Sequence, residues 1–166
     1  MMKLLTFKRP DGGISLFSVN RPGMGEKEAL DAEETSLRMK SRTPNGDMVA
    51  MVPDDWIRVA DTDPADLPAD RTFRNAWTHD GKISVDMTKA QEVVREHLRA
   101  AREPKLAALD VEFLRAAETQ DAAKLNAITA KKQALRDITA DPSITNAKTV
   151  KGLTSALTKL KQSIEA

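Results

Sequence analysis

Arg71, Phe73, Arg74 and Trp77 are the residues of this chain best suited to recognition chemistry. Two guanidinium groups three residues apart flank one aromatic ring, with a second ring four residues beyond the first. Such a set can form a recognition patch in which cations and aromatic faces meet a partner. It can also form a plug, with Phe73 and Trp77 buried against the first long helix while the arginines cap carboxylates. The plug is the reading adopted here, because the chain has few other large anchors: two Trp, four Phe and no Tyr.

Other chemistry is sparse. His79 and His97 lie in a turn and on a helix, and the carboxylates around His97 (Glu92, Glu96, Asp110) lack zinc-site spacing. No Gly-x-Ser-x-Gly elbow, Gly-x-Gly-x-x-Gly turn or Walker loop occurs. Asp54, Asp55, Asp61, Asp63 and Asp66 lack calcium-loop spacing. The expectation is therefore a non-enzymatic protein without cofactor or metal.

A second candidate surface is the last segment. Val150, Leu153, Leu157, Leu160 and Ile164 alternate steps of three and four, a heptad seam barely two heptads long. Thr149, Ala156 and Ser163 beside it are small and suit close helix approach. The seam either folds back onto the helices before it or pairs with another chain; folding back is preferred, and partner binding is the alternative.

The elements that must hold these residues follow from periodicity and turn chemistry. Lys3 to Lys8 and Ile14 to Val19 read as strands joined by Pro10-Asp11-Gly12-Gly13, a β-hairpin. A helix with a narrow apolar stripe runs from about Glu26 to Lys40 and lies over that hairpin. Thr43-Pro44-Asn45-Gly46-Asp47 is a turn, and Met48 to Val52 and Trp56 to Ala60 are short strands. Asp61 to Asp70 is too polar to order by burial and reads as an extended connector. His79-Asp80-Gly81-Lys82 is a turn, Ile83 and Val85 are extended, and a helix starts at Asp86 or Thr88 with Thr88 and Gln91 as a capping box. Pro104 should kink that helix or open a second one. Thr119-Gln120-Asp121 marks a reversal into a helix ending near Ile138, so the two form a helical hairpin.

The fold class is thus α+β: a small β-rich module with one helix at 1–60, a linker and aromatic junction at 61–87, and a helical module at 88–166, a hairpin plus the heptad helix. Residues 1–87 carry 12 Lys/Arg and 15 Asp/Glu, and residues 88–166 carry 14 and 10. That asymmetry is too mild for a nucleic-acid module, so nucleic acid is a disfavoured partner. Zero cysteines exclude disulfides and thiolate metal sites. The apolar run Met1 to Phe7 is too short for a signal peptide, and no run spans a bilayer, so neither standard export nor membrane insertion is expected.

The block Asp70-Arg71-Thr72-Phe73-Arg74-Asn75-Ala76-Trp77, followed by Val85-Asp86-Met87-Thr88-Lys89-Ala90, resembles small tail-associated, tail-fibre-associated or assembly-chaperone-like proteins of tailed bacteriophages and prophages. Leu98-Arg99-Ala100-Ala101-Arg102-Glu103-Pro104, Leu109-Asp110 and Gln133-Ala134-Leu135-Arg136-Asp137 extend the likeness over roughly Asp70 to Pro142. Lys105 departs from it, standing where an apolar residue is expected. The resemblance implies a virion structural protein of the tail or tail fibre that acts by docking on other tail or fibre proteins. It implies location in the particle after synthesis in the host cytoplasm, and no catalytic residues. A transient fibre-assembly chaperone is the alternative, a small nucleic-acid-binding regulator the alternative of another class, and a homo-oligomer through the C-terminal helix a further possibility.

Overall fold

The computed structural model describes residues 3–165. Met1 and Met2, where the N-terminal apolar run begins, and Ala166 lie outside the described residues. The chain is mixed α+β, strand-rich first and helical afterwards, and divides into two units, 1–86 and 87–166. Among the described residues no helix is long and apolar enough to cross a membrane.

The first unit is built on a three-stranded antiparallel sheet in the order β2-β1-β5, from β1 (Leu4–Lys8), β2 (Ile14–Ser18) and β5 (Ile57–Thr62). The β1–β2 turn is closed by Arg9 N–H donating to the Gly13 carbonyl at 2.8 Å and Gly12 N–H to the Arg9 carbonyl at 2.9 Å. Pro10 supplies the first central φ, and Gly12 takes φ +74°, which a side chain would resist. The same device recurs between β3 (Ser41–Arg42) and β4 (Met48–Val49). There Thr43 donates to Asp47, Gly46 donates to Thr43, and Gly46 takes φ +93°. One local code, x-Pro-Asx-Gly, makes both hairpins.

Alternation along the strands gives the sheet two covered faces. Leu5, Phe7 and Phe17 face α1 (Glu26–Arg38), whose Ala29, Leu30 and Leu37 close one core with Val19 and Val52. On the opposite face Ile14 and Leu16 pack with Trp77 and Ile83, from the hairpin of β6 (Trp77–Asp80) and β7 (Lys82–Val85). A bulge in β5 assigns its polar residues. Thr6 is opposite Ala60 but Phe7 is opposite Arg58, so Val59 is skipped and Arg58 turns to the α1 face. There it donates to Glu34 at 2.8 Å and Asp31 at 3.1 Å, and to Asp61 at 2.7 Å, while Arg38 also donates to Glu34, at 2.9 Å.

Partial burial pushes the Glu34 carboxyl upward, but hydrogen bonds from Arg58 and Arg38 and their charges outweigh it and hold the group below its ordinary value. A carboxyl depressed in the folded state lends stability that is complete above its unfolded pKa, about 4.3, and is lost as pH falls through the folded value. The first unit should therefore lose melting temperature on acidification below about pH 4.3. Glu34→Gln should flatten that slope and cost about 1–2 kcal/mol at pH 7. Thermal melts across pH 2.5–7 check both; an unchanged slope in the variant would remove Glu34 as the cause.

Three readings need correction in this unit. The segment read as an extended connector begins inside β5, where buried Thr62 shares a 2.6 Å hydrogen bond with the Thr6 hydroxyl. It continues into a 3₁₀ turn at Pro64–Asp66, capped by Asp63 accepting the Ala65 amide, and Leu67 packs beside Trp77. A hydroxyl pair and one leucine thus order a stretch whose composition argued against it. Met48 to Val52 is strand only as far as Val49, because Val52 N–H instead donates to the Leu37 carbonyl at 3.0 Å. His79-Asp80-Gly81-Lys82 is a turn only at Gly81, since Trp77 through Asp80 pair with Lys82 through Val85.

The second unit consists of α2 (Met87–Glu118), α3 (Ala122–Asp137), short α4 (Pro142–Thr145) and α5 (Val150–Glu165). Helix α2 begins at Met87, so Thr88 lies in its first turn and is not the N-cap of a box. It also continues through Pro104 without opening a new helix. The chain reverses at Gln120, φ +54°, and Asp121 caps α3 by accepting the Lys124 amide at 3.0 Å. At the other end of α3 the Arg102 guanidinium donates to the Leu135 and Arg136 carbonyls at 3.1 and 2.6 Å, a cation on a helix C-terminus.

Candidate docking surfaces

The direction of the helices decides which apolar residues are spent within the chain. Gln91, near the start of α2, reaches the Thr145 carbonyl at 3.4 Å, and Lys105 reaches the Glu165 carbonyl at 3.3 Å. Helix α5 therefore runs parallel to α2 and alongside its first half, and α3 runs antiparallel to α2. At 1.5 Å per residue the 32-residue α2 is about 48 Å long and the 16-residue α5 about 24 Å.

The heptad seam lies on that contact. Leu153, Leu157 and Ile164 are buried, Val150 and Leu160 are half-buried, and Ala156 is buried beside them. Thr149 starts α5, its hydroxyl accepting the Gly152 amide at 3.1 Å. The seam as a surface for partners is thereby corrected: three of its five residues are consumed inside the chain. The reason is length, since α2 extends far enough to give α5 an intramolecular partner.

Above the end of α5 the hairpin of α2 and α3 has no third helix. Of its facing residues, Ala116 and Ile128 are buried, while Leu106, Leu109, Phe113, Leu125 and Leu135 stay half-buried. Lys132 crosses it, ion-paired to Asp110 and 5.2 Å from the Phe113 ring centre. Val111 is 48% and Leu114 63% exposed, one helical turn apart. Where α5 ends, Leu109, Leu135, Ile138 and Leu160 line a groove of about 940 Å³ with Lys105 and Asp141 at its edge. Ala107, Val111 and Leu114 recur at helical spacing as a second stripe on α2, turned away from that groove, which sequence reading missed.

The arginine–aromatic block is placed in the first unit. Phe73 and Trp77 are both buried, and the Trp77 ring packs with Ile14 and Ile83 on the sheet. Trp77 opens β6, opposite Val85, and strand pairing carries its ring onto the sheet. Arg71 and Arg74 do not cap carboxylates. Asp70 instead accepts the Thr72 amide at 2.9 Å, and the 3₁₀ turn Arg74–Ala76 leaves both guanidiniums exposed. They join Arg9 around a cleft of about 600 Å³ whose floor includes Leu16, Leu67 and Trp77.

Among the described residues no three His, Asp or Glu side chains gather as a metal site. Compared with known proteins, the chain matches no family model, no curated protein and no solved structure.

Proposed function

We propose that this chain is a docking component of the tail or tail-fibre region of a tailed bacteriophage, working through protein contacts. A helix of another tail or fibre protein lies on the outer face of the second half of α2, where Val111 and Leu114 are exposed. The supporting observation is the uncovered apolar flank: a helical pair needs a further layer to bury both stripes of α2, and Val111 and Leu114 have none within the chain. The resemblance over Asp70 to Pro142 supplies the viral setting.

Val111→Glu combined with Leu114→Glu tests the reading. Both positions are exposed and glutamate is a good helix former, so thermal stability should change by less than about 0.5 kcal/mol per site. Incorporation into purified particles, followed by mass spectrometry, should fall at least tenfold. Normal incorporation of the variant would overturn the proposed surface. A wild-type chain found on fibre precursors but missing from finished particles would make it a chaperone, and its absence from both would end the viral reading.

A further inference from the structure

The cleft beside Trp77 concentrates positive charge on a unit that is otherwise acidic. Residues 1–86 carry 12 Lys/Arg and 15 Asp/Glu, yet three guanidiniums and no carboxylate line this cleft. Outside the cleft most arginines of the unit, Arg42 excepted, find acids: Arg21 takes Glu33 at 2.8 Å, and Arg38 and Arg58 share Glu34. Arg9 is held at the cleft by Asp11, at 3.3 Å, and by the Trp56 ring, 6.0 Å away. The side chains of Arg71 and Arg74 have no such partner among the described residues.

The floor is apolar. Ile14 and Leu16, alternate residues of β2, stand beside Leu67 and Trp77. The indole Nε1 of Trp77 is buried without an acceptor among the described residues. Unmade hydrogen bonds of this kind are uncommon in folded proteins. A guanidinium fork matches a carboxylate in two-point geometry, and an aliphatic side chain matches the floor.

We propose that this cleft binds an acidic segment of a partner protein, with one aliphatic side chain seated on Leu16, Leu67 and Trp77 and flanking carboxylates on Arg71 and Arg74. A nucleic-acid backbone fits less well, because it needs a continuous basic track, whereas this patch is confined and surrounded by net negative charge. A bare inorganic anion would leave the apolar floor unused. The volume, about 600 Å³, suits one side chain and its neighbouring peptide.

Calorimetric titration of the full chain with the capped peptide acetyl-Asp-Asp-Leu-Asp-Asp-amide tests the proposal. Saturable binding is expected with a dissociation constant below about 1 mM. Arg71→Ala with Arg74→Ala should weaken it at least tenfold, and Arg74→Lys severalfold, since charge remains but the fork is lost. Replacing the peptide leucine by glycine should also weaken it severalfold. Trp77 emission, isolated by Trp56→Phe, should shift on binding. Both arginines are exposed, so the variants should keep the wild-type circular dichroism. No saturation, equal binding by the double-alanine variant, equal binding of inorganic phosphate, or tighter binding of a single-stranded oligonucleotide would each overturn it. The proposal goes beyond the helical docking surface and is separable from it: Val111→Glu with Leu114→Glu should leave peptide binding unchanged.

Discussion

Leu153→Asp is expected to abolish the cooperative folding of the helical unit. Leu153 is fully buried in the seam that α5 presents to α2. Truncating such a leucine to alanine costs about 2–5 kcal/mol. Aspartate adds the penalty of an unpaired buried charge, several kcal/mol more unless the group is protonated. A unit of this size is stabilised by only about 4–12 kcal/mol. Far-UV circular dichroism should show a large loss of helix, and urea titration should lose one transition. Leu153→Ala should shift the urea midpoint downward without removing the transition. If Leu153→Asp kept a wild-type melt, the packing of α5 on α2 described above would be wrong.

Phe7→Ala should have a comparable effect on the first unit. The ring is fully buried, 5.8 Å from the Phe17 ring in an edge-to-face arrangement, with the Arg38 guanidinium 5.3 Å from its centre. The cavity costs about 3–5 kcal/mol. The lost aromatic pair adds about 0.5–1.5 kcal/mol and the cation contact about 0.5–1 kcal/mol. Phe7→Leu should retain most of the volume and lie between wild type and alanine. Urea unfolding followed at Trp56, which packs on the same core, reads the loss directly. A midpoint within error of wild type would contradict the placement of Phe7.

How legible each element was depended on whether its signal is local. Pro10-Asp11-Gly12 and Pro44-Asn45-Gly46 announce their turns because the backbone angles they require are intrinsic to those residues. The α1 stripe and the Leu153–Ile164 seam were readable because a helix repeats its buried positions. Pro104 does not open a new helix: its missing amide and ring disfavour the preceding turn locally, but α2 continues through it, packed on both α5 and α3. The bulge at Val59 had no local signal, so the turn of Arg58 toward Glu34 could not be read. Trp77 was recognised as an anchor but not as the first residue of a strand. That the Arg71 and Arg74 side chains stand exposed, with Asp70 accepting the Thr72 amide, could not be read from spacing alone.

Because α5 stops half-way along α2, the backbone of the hairpin is unevenly secured. Amides at the base open only when the whole unit melts, whereas those near Gln120 can fray with little penalty, since few side chains cross between α2 and α3 there. An incoming chain on the second half of α2 would steady the end of the hairpin that α5 does not reach. Part of its contact energy would go into quieting that motion, which favours a contact that forms readily and can still be released.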